Sequence, residues 1–465
     1  MSGRVVGGAQ TLSKMPERFP GAYPRSLVRG QGARVVGDGG HLFIDWSCAL
    51  GAVSLGYANF YVDAAVREQV RRGPIFSLPD VELEERVAER ICALVPCAEA
   101  VRFTKTGSEA TEAAVRVARA ATGHDIVLTC GYHSWYSWHA ATREEHPGVP
   151  DWMEPLVQPF QYNDLKSLDL AADCAWSMGD GRPGRAFGST GAPRGKRSTG
   201  LAVRGVAAII LEPTLFEPPA PGFLEGVRER ATRLGAVLIF DEMVTGFRWH
   251  AGGAQALYGV TPDLATFGKA MGNGYPISAL VGRADLMRWA RLASGTFGGD
   301  CVGLAAADAT LERYQVGWAE GRRVECAARE HDDVTAHMWR LGADLIDGYN
   351  ALAGTLGAPT RMEGQPPHPR IVWGEVPGPD GSANRHRASL FFQALAQRPC
   401  GPPAPLFHPD GINVMLAHGA EDVAHTLASI RKAMLRVLEA IERGTVREEI
   451  VGHSINPAPP WRTTQ

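Results

Sequence analysis

The chain lacks the features that would place it outside a reducing, aqueous compartment. Eight cysteines occur in 465 residues, but no two form a Cys-x-x-Cys pair, and a chain this long needs no disulfide framework. We read them as reduced thiols and expect a cytoplasmic protein. No stretch approaches the ~20 consecutive apolar residues of a membrane span, and the opening MSGRVVGGAQTLSKMPERFPG has no apolar secretory core. A soluble, unexported protein is the expectation. Charge of neither sign is in excess: the formal net charge of -3 gives no footing for nucleic acid or an anionic membrane. Small molecules and other subunits are the expected partners.

Several catalytic motifs are missing as well. There is no His-Glu-x-x-His, and His331 and His337 stand too far apart in phase to share a helical face, so no metal is expected. Gly-x-Ser-x-Gly is absent. No Gly-x-Gly-x-x-Gly follows an N-terminal strand, which weakens a nicotinamide oxidoreductase as a reading. No internal repeat is visible.

What is present is a long alternation of strand and helix patterns. The length suggests two domains. Residues 1 to about 40 are rich in Gly, Arg and Pro and are expected to form an irregular arm, followed by a strand in HLFIDWSC and a helix from Asp63 to Arg72. Leu83, Val87, Ile91 and Leu94 mark one stripe of a surface helix. AVRFTKTGSEATEAAVRVARAATG then reads as strand, turn and helix, with Thr106 and Glu109 placed for a capping box. A helix start with small residues at its tip favours an anion, because its free N–H groups and dipole both point at it. Buried strands follow at Asp125 to Cys130, Gly205 to Glu212, Ala236 to Phe240, Leu264 to Phe267 and Ile277 to Gly282, separated by helical stretches. That order predicts a mainly parallel α/β sheet flanked by helices. Met178 to Gly200 is dominated by Gly, Arg, Ser, Pro and Thr and is expected to be a mobile insertion. Beyond it lie a long helix from about His331, a strand RIVWGEV, a helix LFFQAL, a proline-rich connector from Pro399 to Pro409, and a helix from Glu421 to Glu442. The expected partition is 1–75 for the arm and part of a small domain, 76–320 for a large domain, and 321–465 for the rest of the small one.

The chemistry concentrates between Gly235 and Pro276. Asp241 ends a wholly apolar strand, and ligands in open α/β sheets sit outside the carboxyl ends of strands. Lys269, 28 residues later (269 − 241), also follows a strand end. An ammonium group at an apolar site is disfavoured by desolvation, so the neutral amine can act as a nucleophile. Either residue alone has a plain alternative: a helix cap or ion-pair partner for the aspartate, a solvated side chain for the lysine. Pyridoxal phosphate needs both a lysine for a Schiff base and an acid to keep its ring nitrogen protonated.

LIFDEMVTGFR followed by PDLATFGKAMGNGYPISALVGR resembles the cofactor signature of the class III pyridoxal-phosphate aminotransferases, and within them the glutamate-1-semialdehyde aminomutase-like branch. The resemblance runs from about Asp45 to His418. It implies a fold-type I transferase, working as a homodimer with shared sites, whose small domain is built from both chain ends. It also implies that Lys269 forms the Schiff base and Asp241 pairs with the pyridinium. Gly107 and Ser108 match the phosphate turn, Tyr132 the ring stacked on the pyridine, and Met243 the aliphatic side chain on its other face. Glu212 matches an acidic wall residue, and Thr296 a threonine that the neighbouring subunit supplies to the phosphate. For Gly107 and Ser108 the plain alternative is an ordinary helix cap, and for Tyr132 and Met243 it is packing.

Two places depart from the family pattern. Gly298, Gly299, Asp300 and Cys301 stand where many members have Ser-Gly-Asn-Pro, and His133-Ser134 replaces His-Gly. Ser134, Trp135, Trp138 and His139 suggest a pocket for an aromatic or cyclic substrate. The expected activity is transfer of an amino group from an amine or amino acid to a carbonyl acceptor. The alternatives are an intramolecular 2,1-aminomutase and, from another class, a non-catalytic homologue or a nicotinamide oxidoreductase. The intact lysine and aspartate oppose the non-catalytic reading.

Overall fold

A computed structural model describes residues 4–179, 205–316, 334–374, 382–397 and 403–455. Most of the expected insertion, His331 and the start of the proline-rich connector lie outside them. The described chain divides into two units, one of residues 61–316 and one of residues 4–60 with 334–455.

The first unit is built on seven strands: β1 (Ala100–Thr104), β2 (Ile126–Cys130), β3 (Val157–Pro159), β4 (Val206–Leu211), β5 (Val237–Asp241), β6 (Leu264–Phe267) and β7 (Ser278–Gly282). Their order across the sheet is β1-β7-β6-β5-β4-β2-β3. Every pair from β6 to β3 is parallel, whereas β7 runs antiparallel to both β6 and β1. The reason lies in the connection. A parallel return needs a crossover of about a dozen residues or more, and Gly268 to Ile277 is too short to make one. Strands β2, β4, β5 and β6 are buried along their whole length, as expected of a sheet covered on both faces.

Five helices of this unit matter below: α1 (Val81–Leu94), α2 (Gly107–Thr122), α3 (Phe223–Leu234), α4 (Gly253–Tyr258) and α5 (Cys301–Val316). In α1 the stripe Leu83, Val87 and Ile91 is buried. Helix α2 begins with the capping box the sequence predicts: Thr106 accepts from Glu109 N, and Glu109 Oε2 accepts from Thr106 N at 2.9 Å. Its face of Ala113, Ala114, Val117 and Ala118 joins the core beneath β4 to β7.

The second unit carries a four-stranded sheet, in the order Leu27–Gln31, Arg34–Gly37, Leu42–Asp45 and Ala404–Leu406. Two of these contradict the sequence reading. The segment expected to be an irregular arm supplies an antiparallel pair, turned at Gly32 with φ +55°, and the expected connector supplies a parallel edge strand containing Pro405. An edge strand tolerates a proline because one side makes no ladder. The hairpin Thr360–Gln365 with His368–Trp373 and the helices Val334–Leu356, Ser382–Ala396 and Ala420–Arg443 complete the unit. The last of these buries Val423, Ile430, Met434 and Val437 along one stripe.

Candidate active site

The carboxyl ends of β2, β4, β5 and β6 open on the same edge of the sheet, and the predicted polar residues gather there. Asp241 is the last residue of β5 and is almost wholly buried. Its Oδ1 accepts from Thr266 Oγ1 at 3.0 Å and from Met243 N at 3.2 Å. Its Oδ2 lies 2.8 Å from His133 Nδ1. The other His133 nitrogen, Nε2, faces Cys130 O at 3.1 Å, an atom that only accepts. A carboxylate offers about four acceptor positions. Three are filled here, which leaves one on Oδ2 for a further donor.

Lys269 follows β6 across Gly268 and adopts φ +45°, a left-handed conformation that a residue with a side chain rarely holds. Burial pushes its amine below the usual lysine range, opposed by the charges of Glu212 and Asp241 and assisted by Arg248. Glu212 follows β4. Burial pushes its carboxyl upward and the Asp241 charge adds to this, whereas His133, the N–H of Tyr132 and Lys269 pull it down. Glu212 Oε2 accepts from Tyr132 N at 3.0 Å, and Gly131 leaves room for it: a Cβ there would lie 2.5 Å from Oε2. The lysine, both acids and the segment after β2 thus form one electrostatic group.

Tyr132 keeps 45% of its surface exposed. His139 packs edge-on against it at 5.7 Å and accepts from His133 N at 3.3 Å. Met243 lies against the phosphate turn and the lysine turn at once. A Cβ on Gly107 would meet its sulfur at 2.9 Å and one on Gly268 at 2.8 Å. The two glycines and the thioether therefore form a close-fitting cradle. Among the described residues nothing accepts from the N–H of Gly107 or Ser108 at the start of α2. Those donors, at a helix N-terminus, suit a phosphate.

Thr296 is not drawn into this group. It stands exposed on the turn Ser294 to Asp300, and no hydrogen bond among the described residues joins it to Lys269 or Gly107. The expected aromatic pocket is also not formed as read. Trp138 belongs to the hydrophobic core, and Ser134 is buried with Oγ accepting from Tyr136 N at 2.9 Å; Trp135 alone of the set is exposed. A turn after a strand must satisfy its own backbone, and Ser134 serves that need.

Sequence reasoning missed His133 and Thr266 as partners of Asp241. Thr266 did leave a signal, since it is the one hydroxyl in the otherwise apolar LATF strand. His133 left none beyond its position after Tyr132.

A lysine whose amine titrates below its usual range, a buried aspartate with a spare acceptor position and a helix start with free donors fit one group. They are the parts of a fold-type I pyridoxal-phosphate enzyme. Comparison with known proteins agrees: the family model for class-III aminotransferases matches residues 20–318. The chain is 33% identical over 437 residues to a 3-aminobutyryl-CoA aminotransferase of Cloacimonas acidaminovorans, covering 93% of this chain and 94% of that one. It is 30% identical to a glutamate-1-semialdehyde 2,1-aminomutase of Brevibacillus brevis, covering 90% and 93%. Among solved structures it resembles the FumI protein of Sphingopyxis sp. MTA144 in its PLP internal aldimine form, with TM-score 0.77, 25% identity and coverage of 94% and 95%. An omega-transaminase from Sphaerobacter thermophilus shares the fold at TM-score 0.73 and 23% identity, over 91% of this chain and 93% of that one. The chain belongs to the class-III aminotransferase family, and its cofactor is pyridoxal phosphate.

Proposed function

We propose that this enzyme transfers an amino group between two small molecules, with Lys269 as tether and proton carrier and Asp241 as partner of the pyridinium. The observation that carries the reading is the amine of Lys269, held below its usual range at the end of β6 and electrostatically coupled to Asp241 at the end of β5. Bound pyridoxal phosphate supplies the electron sink for the carbanion at the amine-bearing carbon. Lys269, once released, takes the proton from that carbon and can return it elsewhere. Asp241 holds a negative charge against the ring nitrogen, and His133 and Thr266 fix its plane. Tyr132 and Met243 cover the two ring faces, Gly107 and Ser108 seat the phosphate, and Glu212 fixes the turn that carries Tyr132.

The relatives include an aminotransferase at 33% identity and aminomutases at 30% to 36%, so identity does not choose between them, and we take intermolecular transfer as the reading to test. We further infer a cytoplasmic homodimer in which Thr296 completes the partner's phosphate seat. Thr296 is exposed, and the large apolar side chains of Leu292 and Phe297 beside it are exposed as well. Phe76 and Leu78 add to that surface on a segment tied to the same loop by the bond from Cys301 N to Pro74 O, 3.0 Å. The partition at 75 and 320, with the cofactor held by 76–320, belongs to the same proposal.

Incubating the holoenzyme with single amines tests the reaction type. A transaminase releases one equivalent of carbonyl product, stops, and resumes when an acceptor is added. Sustained conversion of one compound to its amino isomer, with no acceptor present, overturns the reading in favour of a mutase.

A further inference from the structure

The loop that departs from the family pattern is held by an ion pair. Asp300 ends the turn Ser294 to Asp300, and its Oδ2 pairs with Lys105 Nζ, a lysine two residues before Gly107. Both side chains are mostly buried. Each end of the pair is anchored to a helix start. Asp300 Oδ1 accepts from Gly303 N at 3.0 Å in the first turn of α5, and Gly303 has to be small, since a Cβ there would lie 2.8 Å from Asp300 Oδ2. The backbone of Lys105 donates to Glu109 Oε2 at 2.8 Å, so the lysine is tied into the capping box of α2. Between the two anchors the loop also runs close along β1: a Cβ on Gly298 would meet Phe103 O at 3.1 Å.

The turn contains Gly295, Gly298 and Gly299, and glycines lose the most backbone freedom on ordering. Thr296 therefore stands on a segment that would sample many positions unless something fixed its end. We propose that Lys105 and Asp300 form a strap that holds the Thr296 turn against its own chain's phosphate seat, so that each subunit positions the threonine it supplies to its partner. Through the strap, a substitution in one chain acts on the cofactor site of the other. The inference rests on the reading of Thr296 as a residue supplied across the dimer, and the test separates the two.

Lys269→Ala removes the visible band of the lysine-linked cofactor from one chain, so a mixed dimer reports a single site. In dimer X the reporting chain is otherwise unchanged, and the Lys269→Ala chain also carries Asp300→Asn. In dimer Y, Asp300→Asn sits on the reporting chain itself. Each holoenzyme is diluted into inorganic phosphate, which competes for the seat, and loss of the visible band is timed. The strap predicts release about tenfold faster in X, with Y within twofold of the parent mixed dimer. Faster release in Y alone, in both alike, or in neither overturns it. Lys105→Met, at the more exposed end of the pair, has to reproduce the same asymmetry and guards against local misfolding at α5. Thr296→Ala in the same two positions tests the underlying reading. If it speeds release in Y, the shared site itself is wrong; if it acts in X while Asp300→Asn and Lys105→Met do not, the strap alone is wrong.

Discussion

Asp241 and Glu242 are adjacent buried carboxylates at the end of β5, and they serve opposite faces of the sheet. Successive residues of a strand point to opposite sides, and the ladder continues through this pair, since Glu242 N donates to Thr266 O at 2.9 Å. Asp241 meets side chains: a hydroxyl, an imidazole and, by the proposal, the cofactor ring. Glu242 meets the start of α4 instead, accepting from Ala254 N at 2.7 Å, Gln255 N at 3.0 Å and the Thr245 hydroxyl. Burial raises its carboxyl above the usual range, and these donors pull it back. One acid keeps an acceptor position for a ligand, whereas the other is enclosed by its own chain. Burial and charge alone do not distinguish a site residue from a scaffold residue; what accepts or donates at the last open position does.

The same chemical change on both faces puts this contrast to the sharpest test. Asp241→Asn is expected to lower kcat about a thousandfold, because a charge pair at ~4 Å in a partly screened site is worth roughly 4 kcal/mol. Its melting temperature stays within a few degrees of the parent, as checked by calorimetry beside steady-state rates. A loss under tenfold would show that Asp241 does not face the ring nitrogen. Glu242→Gln reverses the pattern. Its amide turns a donor toward other donors, which costs about 2 kcal/mol of stability, while the rate per folded molecule stays within about twofold. Denaturant unfolding and active-site titration read the two effects separately. A Glu242→Gln enzyme of full stability but low rate would erase the distinction.

Much of this arrangement was legible beforehand, and the rest was hidden for identifiable reasons. The strands VLIFD and LATF are short apolar runs but for Asp241 and Thr266, so their existence and their ends at Asp241 and Gly268 follow from pattern alone. The capping box at Thr106 is equally local, needing only residues three apart. The pair Leu27–Gln31 and Arg34–Gly37 escaped because its exposed strand has no alternation and its residues are those of a loop. Val157–Pro159 is too short to read. The contacts of Asp241 with His133 and Thr266 join three separate strand ends, and no local spacing encodes them. The same holds for Asp300 and Lys105.

A smaller effect separates the charge of Lys269 from that of the scaffold. The amine titrates below its ordinary 10.5 in the folded chain, so between the two values the unfolded chain binds more protons. Stability contributed at this site is therefore lost below the folded value and recovered as pH rises toward 10.5. Stripped of cofactor, Lys269→Met is expected to be more stable than the parent at neutral pH, with the gap closing as pH rises. Thermal melts of both proteins across that range check the sign. A gap that widens with pH would mean that the amine is not desolvated.

The smallest expected effect lies in the hydroxyl that orients Asp241. Thr266→Val keeps the shape of a buried strand residue and removes only the donation to Oδ1. A typical intramolecular hydrogen bond contributes about 1 kcal/mol net, and if that much is lost in the transition state kcat should fall about fivefold. The strand itself should not weaken, because valine suits a buried β position at least as well as threonine. A rate loss alone does not show that the hydroxyl acts through the aspartate, since it could touch the cofactor. The double variant decides this. If Thr266 works only by aiming the Asp241 carboxylate, Thr266→Val costs less than twofold once Asp241 is already asparagine. The same fivefold loss in both backgrounds would place its action elsewhere and leave His133 as the aspartate's only orienting side chain among the described residues.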